Sequence, residues 1–372
     1  MILMAVFIFL SLLSVIWPRS NKVFVCLVVF TWFVAAFCTQ HADYATYYTR
    51  YMNYERLSSL TEVGFTWIMI LFHKLSFSFD LFLCIAYAFT IGTVAWFIRK
   101  HSPNYTICFA LYSIFPYCID SVQLRNTMAF CVFLIGLNSL LKEDETLKIR
   151  RVIFFVISVI IASFIHFSAI LFLLVLIPYF LDIRKITIVT AIVTGILMLV
   201  GNVDLLTKVA TLFVSSSKMD SVLDRITKYG VHSIHSIQLA MIIPTALILL
   251  FIFSSQYNLR LEEKYGTNLQ RTIEVQNNLD IFLKIQIVAL CILPIVPFIL
   301  DVYRIHRYLL ILGYIAATSY NTERCKRRLI NTTFFYVILM LTVWLIFYIQ
   351  IYRLNSYEGT FFALFHNNKF IH

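Results

Sequence analysis

An all-helical, polytopic transmembrane bundle is the fold class this sequence predicts, on three observations. Its 372 residues are 60% hydrophobic and only 13% charged, with a mean hydropathy of +0.84, too little polar side chain to cover a water-soluble globule of that size. The apolar residues fall in runs of about 15 to 22, the length that crosses roughly 30 Å of hydrocarbon as a helix. Lys and Arg gather in short clusters between those runs, so that retention of basic loops in the cytoplasm accounts for the net charge of +11. Nucleic acid is thereby set aside as a partner.

The first run, 1–17, lacks a basic n-region and a small-x-small cleavage site, and a second run, 23–39, follows at once. It reads as a retained helix, not a signal peptide. Further spans are expected at 81–98, 105–119, 125–141, 152–165, 167–181, 186–201, 237–254, 283–300, 308–320 and 330–352. This gives about 12 crossings in a single membrane-embedded domain of 1–372. Segment 202–236 reads as an outer loop with two amphipathic stretches, Leu206 to Phe213 and Met219 to Ile226, suited to lying on the membrane surface or covering a lipid-linked substrate. Segment 255–282 reads as a cytoplasmic loop.

Charge sets the topology. Lys142 to Arg151 and Arg324 to Arg328 each carry four Lys or Arg and are assigned to the cytoplasm, as are Arg184 and Lys185. The run 152–181 must then cross twice, with a turn near Ser163 to Phe167 that puts His166 toward the outer face. The junction Asp120 to Arg125 also falls outside. Keeping Arg19 and Lys22 inside requires segment 63–79 to be re-entrant or interfacial; if it spans, the first two helices invert.

With this topology the unusual polar residues collect on one side: Asp43, Tyr47, Tyr48 and Glu62, then Arg125, His166, Arg304 and Arg307. Charges at the edge of hydrocarbon are costly unless they meet a partner or line a wet cavity. Arg125, just before an apolar helix, suits a forked grip on a pyrophosphate oxygen, aided by the helix dipole; the plainer alternatives are an interface anchor or a partner for Asp120. His166 has the near-neutral basicity needed to take a proton from a hydroxyl or to bond a phosphate, although a lone apolar-stretch His is commonly satisfied by a backbone carbonyl. Tyr303, Arg304, Arg307 and Tyr308 mark the outer end of a late span, as anion ligands or as rim anchors. Tyr44, Tyr47, Tyr48 and Tyr51 repeat at helical spacing, a face able to stack on sugars or to sit in the headgroup belt. Asp43 beside it is a candidate general base.

The eight cysteines show no Cys-x-x-Cys spacing and read as small buried hydrophobes. His232 and His235 lack accompanying ligands, so no metal site is expected. No phosphate loop, Walker motif or nucleophile elbow is present.

The sequence resembles the EpsG-type branch of the Wzy polysaccharide polymerases. The resemblance lies in Asp43-Tyr44 with Tyr47-Tyr48, in Glu62 with Gly64 and Phe65, in Arg125, in Ala162, His166 and Ser168, and in Arg304 and Arg307. Two departures stand out: Thr39-Gln-His-Ala42 occupies the place where the family often carries Gly-Thr, and Asn126 follows Arg125 where Gln is usual. The resemblance implies a C-type membrane glycosyltransferase on the outer side of the bacterial cytoplasmic membrane, with no cofactor and no metal. Its substrate would be undecaprenyl-pyrophosphate-linked oligosaccharide, with membrane lipid around it and a chain-length regulator as a further candidate partner. His166, Asp43 and Glu62 would be catalytic, Arg125, Arg304 and Arg307 would bind pyrophosphate, and Tyr47, Tyr48 and Tyr303 would touch sugar. A flippase for the same glycan, an O-antigen ligase and a membrane acyltransferase are the rival readings.

Overall fold

The computed structural model describes residues 2–53, 63–141, 148–199, 242–243, 245–255, 269–292, 300–319, 326–352 and 356–371. Among these, every regular element is helical, and one isolated antiparallel bridge pairs Cys38 with Asn368. Where the sequence reads as one domain, the chain packs as two compact units: Met1–Leu173 with Thr318–His372, and Leu174–Ala317.

The first unit is built on α1 (Ile2–Ile16), α2 (Asn21–Ala36), α3 (Tyr44–Met52), α4 (Val63–Lys74), α5 (Phe79–His101), α6 (Tyr105–Ile114), α7 (Tyr117–Val122), α8 (Leu124–Leu140) and α9 (Lys148–Ile165). Ser20 and Ser78 cap α2 and α5, each side chain accepting an N–H from the first turn. Helix α5 also carries Asp80 in its first turn and Arg99, Lys100 and His101 in its last, matching the helix dipole at both ends. Helix α6 is apolar all round and every residue from Thr106 to Ile114 is buried, which makes it the centre of the unit. The expected span 105–119 is broken at Pro116, which has no N–H to continue α6, and resumes as α7.

Outward faces of this unit are apolar too. Ile153, Ile157, Ile161 and Phe164 form an exposed stripe along α9, as do Phe9, Leu12 and Ile16 on α1, a pattern that suits lipid and not water. Phe79–His101 and Thr332–Tyr352 are each long and apolar enough to cross a membrane, and seven shorter apolar helices accompany them among the described residues. The chain is a helical membrane protein.

Helices α8 and α9 meet along a close seam. A Cβ placed on Gly136 would lie 2.6 Å from Ser158 Cβ, so only the missing side chain lets the two backbones approach this far. Helix α4 behaves differently. Its 12 residues reach only about 18 Å, and Phe65 near its start and Phe72 near its end both touch Phe82 of α5, at ring separations of 6.3 and 5.4 Å. Both ends of this short helix thus pack on one ring near the start of α5.

In the second unit, α10 (Leu176–Phe180), α11 (Ile183–Leu199) and the helices Thr245–Ser255, Leu269–Ile292 and Leu300–Ala317 pack together. Segment 255–282, read as a loop, is helical from Leu269 onward. The amphipathic segment 202–236 lies outside the described residues.

Candidate functional site

The two ends of the first unit differ in how they hold polar groups. At the end marked by Arg19, Arg99 and Lys100, Arg19 Nε donates to Asn104 Oδ1 at 2.8 Å and Asn104 Nδ2 donates to the Thr318 carbonyl at 2.6 Å. The Ser102 and Thr318 hydroxyls share a hydrogen bond of 3.1 Å, and Tyr105 Oη donates to the Arg19 carbonyl. Asn104 is completely buried, and these bonds satisfy it.

At the other end lie the C-terminus of α2, α3, the starts of α5 and α8, and the end of α9. Asp43 occupies the N-cap position of α3. One turn on, Tyr47 is buried, its ring packs on Phe65 of α4 at 5.7 Å, and its hydroxyl accepts the backbone N–H of Arg125 at 3.5 Å. The four-tyrosine face of α3 is largely consumed by packing. Tyr44, Tyr48 and Tyr51 all set their rings against Phe79, at 5.4 to 5.5 Å, and Tyr51 Oη donates to the Phe77 carbonyl. Tyr48 stays exposed.

Arg125 stands in the first turn of α8, after the break at Gln123 between α7 and α8. That break is braced from below: Tyr87 Oη donates to the Ser121 carbonyl, Tyr117 Oη to the Thr31 carbonyl, and Thr127 Oγ1 to the Asp120 carbonyl at 2.7 Å. A guanidinium beside first-turn N–H groups adds charge to the positive end of the helix dipole, so an anion there is favoured twice over. Asp120 itself is buried in α7.

His166 follows Ile165, the last residue of α9. Its N–H still donates to the Ala162 carbonyl, then its carbonyl accepts from Ala169 N as the chain tightens into a 3-10 helix over Phe167–Val175. The turn lies within the expected 163–167. The side chain is buried. Gly64 fixes α4 against this corner: a Cβ there would come within 2.8 Å of the Phe164 carbonyl oxygen. A chain of contacts thus runs from Arg125 through Tyr47 and Phe65 to Gly64 and the α9 corner that bears His166.

Of the residues singled out from sequence, the first unit gathers Asp43, Tyr47, Tyr48, Arg125 and His166 at one end. Glu62 lies outside the described residues. Tyr303, Arg304 and Arg307 belong to the second unit, on Leu300–Ala317. There Arg307 is buried with its guanidinium over the rings of Tyr308 and Tyr303, at 4.9 and 5.9 Å, while Arg304 is half-buried. His306 between them pairs its Nε2 with Thr245 Oγ1 at 2.8 Å.

His41 is the polar residue that sequence reading passed over. It is buried against the rings of Tyr44 and Tyr47, at 5.6 and 6.4 Å, and neither ring nitrogen has a hydrogen-bond partner among the described residues. Burial pushes the imidazole down to about 4, so it is neutral at neutral pH. Its one sequence signal was its place two residues before Asp43. Among the described residues no group of three or more His, Cys, Asp or Glu side chains converges as a metal site would, and Cys26, Cys38, Cys84, Cys108, Cys118 and Cys131 are free thiols.

A family model described as the EpsG family matches residues 21–359. No curated protein and no solved structure matches the chain.

Proposed function

Because the chain belongs to the EpsG family, we propose that it is a polysaccharide polymerase that joins undecaprenyl-pyrophosphate-linked oligosaccharide repeats by glycosyl transfer. The end of the first unit bearing Asp43, Arg125 and His166 would face outward from the cytoplasmic membrane. The observation that supports this most is their convergence at the end opposite Arg19, Arg99 and Lys100, the end that the positive-inside tendency assigns to the cytoplasm.

In this reading the acceptor sugar hydroxyl attacks the anomeric carbon of the donor chain. The bond from that carbon to the pyrophosphate oxygen breaks, and the lipid pyrophosphate leaves with the electron pair. Arg125, reinforced by the first-turn N–H groups of α8, stabilises the charge that develops on the leaving group. The acceptor's proton passes to the Asp43 carboxylate or the His166 imidazole. Arg304 and Arg307 are proposed as further pyrophosphate ligands, Tyr48 and Tyr303 as sugar contacts, and Glu62 as a third acid, all on the family resemblance. Guanidinium charge supplies what a metal would otherwise provide.

The test is a gel of lipid-linked and surface glycans from cells lacking the gene and from cells with it restored. Single repeats displayed outside without a ladder, and a ladder on restoration, are expected. Repeats accumulating only on the cytoplasmic leaflet would make the protein a transporter instead.

A further inference from the structure

We propose that residues 357–370 form a strap that positions Asp43, an inference that rests on the reading of Asp43 as a proton acceptor. The chain between α2 and α3, residues 37–43, forms no helix, so its backbone groups need partners from elsewhere. The strap supplies them. Thr39 N–H and Thr39 Oγ1 both donate to the Asn367 carbonyl, at 2.8 and 3.0 Å, and Asn367 Nδ2 donates to the Gln40 carbonyl at 3.1 Å. Lys369 N–H donates to the Phe37 carbonyl at 2.9 Å, Cys38 Sγ donates to the Ala363 carbonyl, and Ala42 N–H donates to the Gly359 carbonyl at 3.0 Å.

Every residue from Phe37 to Ala42 except His41 is thus bonded to the strap, and the last bond falls on the residue directly before Asp43. Side chains anchor the strap itself: Phe370 packs on Phe37 at 4.9 Å, Phe361 and Phe365 pack on Phe7, and Lys369 Nζ meets Asp80 at 2.6 Å. The closest approach is steric. A Cβ on Gly359 would lie 3.2 Å from Ala42 Cβ, so a methyl there requires Ala42, the neighbour of Asp43, to give by a few tenths of an ångström. Residues 360–370 lie beyond the stretch matched by the family model. A general base must be held near its productive geometry, and a misplacement on the order of 1 Å costs up to about a hundredfold in rate.

The strap makes Gly359 and Asn367 positioning residues, with no contact to substrate required of them. The test uses the full-length chain in cells lacking the gene, with polymer ladders scored against the amount of protein in the membrane. Gly359→Ala is expected to cut polymer about tenfold per molecule, and the double variant Gly359→Ala/Ala42→Gly, which removes the opposing methyl, is expected to restore it. A merely structural glycine would lower protein amount and not polymer per molecule. Asp43→Asn, run beside them, separates the two readings. Loss of polymer in Asp43→Asn with wild-type polymer in Gly359→Ala, or with no rescue in the double variant, overturns the strap and leaves Asp43 in place. Wild-type polymer in Asp43→Asn overturns the role of Asp43 and the strap's purpose together.

Discussion

At the two ends of the first unit, different groups are seen to hold the elements together. At the Arg19 end the groups are spent on one another: guanidinium to amide, amide to carbonyl, hydroxyl to hydroxyl. At the Asp43 end the elements are held by rings and by backbone, as when Tyr47 Oη takes the Arg125 N–H and Gly359 takes the Ala42 N–H. The first arrangement builds a scaffold, because its side chains tie separate parts of the unit to one another. The second holds side-chain bearers in place by other means, which is what a working site requires of its supports.

Substitutions can break that contrast, and the largest effect is expected where function is assigned. Arg125→Ala and His166→Ala should each lower polymer at least about 100-fold while membrane protein stays at wild-type amount on an immunoblot. Wild-type ladders in both would move the site elsewhere. Next in size is an acid sensitivity to which His41, at the Asp43 end, contributes. His41 is held at about 4 when folded, against about 6.5 when exposed, so between these values the unfolded chain binds more protons than the folded one. Stability is therefore full above about pH 6.5 and falls by about 3 kcal/mol as pH drops toward 4. The melting temperature of purified protein at pH 7.5 and 4.5 should show a gap that narrows in His41→Gln; an unchanged gap would show that His41 does not carry it. Smallest is Asn104→Ala, which strands the buried partners of its amide for about 1–3 kcal/mol. It should reduce the amount of folded protein and leave polymer per molecule intact, and a selective loss of polymer would erase the difference between the ends.

Local pattern made much of this legible. The ends of α5 and α8 fall within a few residues of the hydropathy runs 81–98 and 125–141, and the turn before His166 follows from charge alone, since Arg150 and Arg184 had to share a side. Pro116 was visible but its effect was not credited, and α6 therefore ends earlier than the apolar run. The strap left no trace in the sequence, because Thr39 and Asn367 meet across 328 positions and hydrogen bonds between backbones need no particular residue. His41 was missed for a related reason. Its burial is created by Tyr44 and Tyr47 folding back over it, and a tyrosine face read along one helix does not reveal what lies beneath it.

The glycine seam between α8 and α9 sets how closely the two helices run. Gly136 sits ~16 Å along α8 from Arg125, and Ser158 sits ~12 Å along α9 from His166, so the closest approach in the seam lies on the same side of both functional residues. A methyl inserted at Gly136 would force the two helices apart there, so the placement of the chain that bears Arg125 and His166 depends on an atom that neither of them touches.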